Sequence, residues 1–337
     1  IFMSIAQLIK NAVDAKASDL HLSANMPPIM RIHGNLKKIN HTSLELQTLD
    51  QLLNECMNEK QKTHLNTFGQ VDFSLTVKDA NRVRINIFKQ QRGLACVIRL
   101  VPSVIPNLES LNLPMVIKQI AAISHGLVLV VGPTGCGKST TLAAIIDYLN
   151  ENYPYHIVTL EDPIEFLHHS KHSLIHQREV SKHAKNFNTA LRGILRADPD
   201  VIMIGELRDL TTIRLALTAA ETGHRVFATL HTAAAAKAIH RIIDVFPGEE
   251  KNLIRAILAS SLQAVIAQKL IKTSRDKRIA VCEIMRCNTA IRNLIKEDKL
   301  NQIYSAIQTG QASGMMTFDQ HLSMLHQKGV VPVVTQV

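Results

Sequence analysis

Two α/β domains in tandem are the fold this sequence predicts, and three observations predict it. Residues 1–101 alternate helical spacing with strand-like alternation and polar turns. A stretch at 102–114 carries three prolines and no clean period, which reads as a linker. From 115 to 337, short apolar strands such as "GLVLVV" and "VIMI" alternate with helices, as in a mostly parallel sheet covered on both faces.

Taken in order, Ile5, Leu8, Ile9, Ala12 and Val13 fall on one face of a first helix. "SDLHLS" alternates as a strand, and "MRIHGNLKKI" reads as a hairpin turning at Gly34-Asn35. Leu49, Leu52, Leu53, Cys56 and Met57 mark a second helix. "VDFSLTV", "RVRINIF" and "LACVIRLV" follow as strands, with turns at Asp79-Ala80-Asn81 and Gln91-Arg92-Gly93. The last third reads as largely helical. "EEKNLIRAILASSLQAVIAQKLI" carries one long amphipathic period, and "TAIRNLIKED" carries another.

Bulk properties narrow the classes. With 337 residues there is room for two cores, and a 46% hydrophobic content with 20% charged residues suits a globular chain. No apolar run is long enough to span a bilayer, and there is no signal-peptide pattern. Five scattered cysteines without a C-x-x-C pair argue for a reducing cytosol and against structural zinc. A formal charge of +10 favours an acidic partner without choosing among nucleotide, nucleic acid and anionic lipid. With 4% aromatic residues and no Trp, a stacking platform for single strands is disfavoured.

Chemistry concentrates at "GPTGCGKST", where Gly132, Gly137, Lys138 and Ser139 satisfy G-x-x-x-x-G-K-[ST]. A strand precedes the loop and a helix follows it, so backbone N–H groups and the helix dipole converge on an anion. Lys138 adds a point charge for the outer phosphates, and the Ser139 hydroxyl suits Mg²⁺. These features point to a nucleoside triphosphate. Cys136 lies inside the loop and has two readings, a thiol activated beside Lys138 or a small filler residue.

Two later strands end in carboxylates. "HIVTLEDPIEF" offers Glu161, Asp162 and Glu165, and "VIMIGE" offers Glu206, with Gly205 where an Asp is usual. Ligands gather beyond the carboxyl ends of such strands, so Glu206 is assigned to polarise water. "GHRVFATLHT" puts His224 and His231 roughly 23 Å apart at the two ends of one strand. His231 can therefore sense the γ-phosphate, while His224 caps the sheet or faces another subunit. His168, His169, His172 and His176 read as a solvated loop, since no cysteine or carboxylate pattern completes a metal site. Arg82 and Arg84 share one strand face, and Arg99 also lies outside the loop domain. These arginines are either solvated or poised as fingers across a boundary.

The ordered set "ASDLHLS", "GPTGCGKSTTLAA", "LEDPIEF", "QREV", "ALRGILRADPDVIMIGELRDLTTIRLALTAAETGH", "TLHT" and "AIRNLIKED" resembles the secretion ATPase superfamily. Within it, the chain is most similar to the type IV pilus retraction ATPases, the motors of twitching motility. The resemblance runs from about Ser4 to about Gly329. It implies a PAS-like N-terminal α/β domain joined to a RecA-like P-loop ATPase domain with a helical C-terminal part. It also implies a cytoplasmic homohexamer, peripheral at the inner membrane, that uses ATP and Mg²⁺ and acts on a membrane platform protein of the pilus.

By motif match it places nucleotide binding on Gly132, Pro133, Thr134, Gly135, Cys136, Gly137, Lys138, Ser139 and Thr140. Catalytic roles fall on Glu165, Glu206, His224, His231, Arg84 and Arg99, and a retraction-specific segment on Ala290, Ile291, Arg292, Asn293, Leu294 and Ile295. An assembly or secretion ATPase is the alternative, although such relatives commonly carry a longer N-terminal region and a tetracysteine zinc site. A nucleic-acid translocase fits less well, because the sequence shows no helix-turn-helix or zinc module, and no nucleic acid is expected as a partner.

Overall fold

The computed structural model describes residues 4–331 apart from 33, 40–41, 78–81, 102–103, 181 and 274–277; of Lys272 only the backbone is described. The turn expected at Asp79-Ala80-Asn81 lies outside the described residues. Two compact units divide the chain, residues 1–104 and 105–337.

The first unit runs α1 (Ile5–Asp14), β1 (Asp19–Ser23), β2 (Ile29–Ile32), β3 (Asn35–Lys38), α2 (Leu46–Cys56), α3 (Glu59–Phe68), β4 (Gln70–Thr76), β5 (Arg82–Gln90) and β6 (Gly93–Leu100). Its strands form one antiparallel sheet in the order β3-β2-β1-β6-β5-β4, so the first and last long strands meet at the centre. Ile5, Leu8, Ile9 and Ala12 of α1, with Leu49 and Leu53 of α2, pack on Leu20, Ile85, Ile87 and Ile98 of the sheet. Helix α3 escaped the periodicity reading because Leu65 is its one buried residue. Its ends are nonetheless written locally: Asn58 and Gln61 form a capping box, and Gly69 closes it with φ 74°.

The second unit contains α4 (Val116–Ala121), β7 (Gly126–Val131), α5 (Lys138–Asn152), β8 (His156–Glu161), β9 (Leu174–Glu179), α6 (Phe187–Ile194), β10 (Val201–Ile204), α7 (Leu210–Glu221) and β11 (Arg225–Leu230). It continues through α8 (Ala235–Asp244), α9 (Lys251–Ser261), β12 (Leu262–Lys272), β13 (Arg278–Arg286), α10 (Thr289–Lys296), α11 (Ile303–Thr309) and α12 (Phe318–Gln327). Its sheet has the order β13-β12-β7-β11-β10-β8-β9, parallel throughout except for β13. Alternate residues of each strand serve opposite faces: Leu127, Leu129 and Val131 join one core, Val128 and Val130 the other. Within the stretch expected as linker, Leu108 and Leu113 are buried with Ile117 and Ile120 in this unit.

One expectation is corrected here. The long period over 249–271 is not one helix, since α9 stops at Ser261 and the chain continues directly into β12. Leu262, Ala264, Val265, Ile266 and Ala267 are wholly or almost wholly buried against β7 and β13, and a strand buried on both faces reads as a near-continuous apolar run. A continuous apolar run carries no signal of period two, so it extends the preceding helical pattern by accident.

His169, His172 and His176 are exposed, in keeping with a solvated loop, while the backbone of the segment is tied down. The fully buried Asn150 of α5 donates Nδ2–H to the His169 carbonyl at 2.8 Å, and its Oδ1 accepts the Lys171 N–H at 2.9 Å. Its carbonyl also accepts the N–H groups of His172 and Ser173. Half-buried His168 has a pKa pushed down to about 4 by burial. Among the described residues no group of three or more His, Cys, Asp or Glu could hold a metal ion. Asn150→Ala should strand the His169 carbonyl and the Lys171 N–H and lower stability by about 2–4 kcal/mol, read as a shifted midpoint in urea unfolding.

Candidate phosphate-loop site

Parallel pairing assembles the site. Val131 pairs with Leu230, and Ile204 pairs with both Ala228 and Leu160, so β7, β8, β10 and β11 end on one edge. Just past those ends lie the phosphate loop, Glu206 and His231, with Glu161 the last residue of β8. Gly137, at φ 91°, is the N-cap of α5 and turns the loop into the helix. The Lys138 ammonium is folded across the loop, donating to the carbonyls of Gly132 at 2.8 Å and Pro133 at 3.0 Å. Burial lowers the Lys138 pKa, opposed by the negative fields of Glu206 and Glu165.

A chain of polar contacts leads away from Lys138. His231 Nδ1 lies 3.4 Å from Lys138 Nζ and 3.3 Å from the Thr134 hydroxyl, while its Nε2 lies 3.3 Å from Glu206 Oε1. Arg208 Nε donates to Glu206 Oε2 at 2.7 Å, and its Nη1 reaches Asp162 Oδ2 at 3.4 Å. Arg208 was missed by sequence reasoning, although its place two residues after Glu206 was the available signal. His224 sits at the opposite end of β11, its Nδ1 3.1 Å from the Ala219 carbonyl.

Gly205 has a steric reason. A Cβ there would lie 3.3 Å from the Leu160 carbonyl oxygen and 3.4 Å from Glu161 Cα. The neighbouring strand therefore leaves little room for the Asp usual at this point. The buried carboxylate is instead Glu161, on β8. It accepts from Thr159 Oγ1 at 2.7 Å, Gln177 Nε2 at 3.2 Å and the Glu165 N–H at 3.4 Å. Burial still outweighs these donors and raises its pKa to about 7. Glu165 itself is exposed.

Cys136 is a filler in this structure. Its thiol is buried where a side chain on Gly132 would otherwise lie, and burial raises its pKa more than Lys138 lowers it. Arg84 and Arg99 belong to the first unit and hold carboxylates there. Arg84 grips Asp72 through Nε and Nη2, the shortest contact being 2.6 Å, and Arg99 Nε donates to Asp19 at 3.1 Å.

Residues Ala290 to Ile295 lie in α10, whose N-cap Asn288 accepts the Ile291 N–H. Ile291 and Ile295 are fully buried, Leu294 is half-buried, and Ala290 and Asn293 are exposed. Arg292 reaches back to the C-terminus of α9, donating to the Ala259 carbonyl and, at 2.7 Å, to that of Ser260.

Glu161 makes stability depend on pH. Its folded pKa of about 7 exceeds the reference 4.5, so the native state keeps a proton that the unfolded chain has already released. Stability from this group should fall as pH rises from 4.5 to 7, by about 3 kcal/mol. Glu161→Gln should flatten that slope in urea titrations between pH 5 and pH 8.

Comparison with known proteins places the chain. Residues 1–327 match the family described as type II/IV secretion system protein. The chain is 51% identical to a type IV pilus retraction ATPase, PilT, of Pseudomonas aeruginosa, covering 98% of this chain and 96% of that protein. It is 48% identical to a twitching motility protein of Neisseria gonorrhoeae, covering 98% and 89%. The crystal structure of a pilus retraction motor PilT with bound ADP superposes with a TM-score of 0.91 at 43% identity, covering 98% of this chain and 95% of that one. Matched over almost its whole length in both sequence and fold, the chain belongs to the type II/IV secretion system protein family.

Proposed function

We propose that this chain is an ATP-hydrolysing motor that powers retraction of a type IV pilus. The observation that carries the reading is the convergence of Lys138, His231 and Glu206 on the phosphate loop, in a chain similar end to end to retraction ATPases. The loop N–H groups receive the phosphates, and Lys138 exchanges two neutral carbonyls for anionic oxygens. Glu206 orients the attacking water, and His231, between Glu206 and Lys138, lies where the γ-phosphate would be read. The donors fit Mg²⁺, which takes hard oxygens: the Ser139 hydroxyl would hold it, and its charge would offset that of the phosphates.

Glu165 adds a further carboxylate near Lys138. The family resemblance supports a homohexamer in which His224, Arg84 and Arg99 act across subunit boundaries. It also supports a cytoplasmic ring, peripheral at the inner membrane, with a pilus platform protein as partner. Among the described residues no helix is long and apolar enough to cross a membrane.

Glu206→Gln should retain ATP while its turnover falls ~10²–10⁴-fold. A phosphate-release assay beside nucleotide binding checks this, and unchanged turnover would remove Glu206 from the role. Direction is read on cells. Loss of the gene should leave excess surface pili and abolish surface motility, whereas bare cells would mean assembly instead.

The two faces of α10 separate fold from output. Asn293→Ala should spare ATP hydrolysis and stop retraction. Ile291→Ala should cost about 2–5 kcal/mol of stability, measured by thermal unfolding.

A further inference from the structure

Gln268 belongs to no motif, yet both ends of its side-chain amide are committed to the phosphate loop and the helix it opens. It lies on β12 and is almost fully buried. Its Nε2 donates to the Cys136 carbonyl at 2.6 Å, and its Oε1 accepts from the Thr141 hydroxyl at 2.9 Å. The sense of the amide is fixed, because a backbone carbonyl can only accept. One side chain therefore joins the loop to the first turn of α5.

That bond has a consequence for the loop backbone. The C=O of Cys136 and the N–H of Gly137 belong to one trans peptide and point in opposite directions. Holding the carbonyl on Gln268 therefore aims the Gly137 N–H away from Gln268. A loop that binds anions through inward N–H groups depends on such orientations. The two motif glycines also touch this residue. A Cβ on Gly132 would collide with the Gln268 carbonyl oxygen, and one on Gly137 would lie 3.0 Å from Gln268 Nε2.

We propose that Gln268 is a positioning residue that fixes the conformation of the phosphate loop and so sets its affinity for nucleotide. The proposal rests on the nucleotide-binding reading of that loop. Gln268 reaches the phosphates only through Cys136 and Gly137, so its loss should act on binding rather than on the chemical step.

The test uses the full chain with a fluorescent ADP analogue for Kd and steady-state ATP hydrolysis for kcat and KM. Gln268→Met keeps the volume and strands the Cys136 carbonyl, so Kd and KM should rise together by about tenfold or more, with kcat within about threefold. Thr141→Val removes only one of the two bonds. It should give a smaller rise in Kd, and it carries the test if Gln268→Met fails to fold.

Gln268→Glu adds a readout that a purely structural role would not move. A protonated carboxyl can still donate to Cys136 and accept from Thr141, whereas the carboxylate repels the Cys136 carbonyl. Its affinity relative to Gln268→Met should therefore improve as pH falls from 8 to 6. Binding by Gln268→Met and Thr141→Val that equals the parent's, or a fall in kcat at unchanged Kd, would overturn the proposal while leaving the nucleotide reading intact. A parent chain that binds no ADP would overturn both.

Discussion

Parallel pairing of β7 with β11 on one side and β12 on the other is the constraint on which the second unit depends. Parallel strands all present their carboxyl ends to the same edge, so residues far apart in sequence arrive there together. Lys138 and His231 are 93 residues apart and their polar atoms lie 3.4 Å apart. The same pairing buries β7 on both faces, and all six of its residues are apolar or glycine. A chain emerging from such a strand has its next polar function at the first residue free of the sheet, where the loop begins.

That constraint also decides what was legible in the sequence. Strands β7 and β10 show plainly as short apolar runs bounded by glycine, and Gly132 to Ser139 is a local pattern that needs no tertiary information. Glu206 and His231 were found because each lies directly after such a run. Strand β12 was not legible, because its buried residues prolong the apolar pattern of α9 without a break in composition. Gln268 was invisible for a related reason. Its partners Cys136 and Thr141 are 132 and 127 residues away, and a Gln in a largely apolar strand, like Gln263 before it, looks like any other interruption. Glu161 stood beside Asp162 and Glu165 with nothing local to rank them. Burial, which separates Glu161 from the other two, is a property of the neighbouring strands.

Electrostatics ties the site into one unit. Lys138, His231, Glu206, Arg208 and Asp162 form a line of alternating partners in which Glu206 offers one oxygen to His231 and the other to Arg208. Glu206 is therefore oriented from both sides, a preorganisation on which its proposed role of orienting water would draw. Lys138 is held by two neutral carbonyls instead of a carboxylate. An ammonium is held more strongly by an anionic oxygen than by a neutral carbonyl, so in the proposed nucleotide-bound state phosphate oxygens would displace these carbonyls.

Helix α10 is tied to the sheet that carries the site without belonging to the site. Its buried face, Ile291 and Ile295, is fixed by the core, and Arg292 is fixed by the carbonyls that end α9. Arg292 also donates to Gln263 Oε1, and Gln263 lies on the same strand as Gln268, five residues earlier. One rigid strand thus contacts the phosphate loop through one glutamine and α10 through another. The span between them is roughly 17 Å of extended chain. The phosphate loop and α10 are thus both hydrogen-bonded to β12, the one through Gln268 and the other through Arg292.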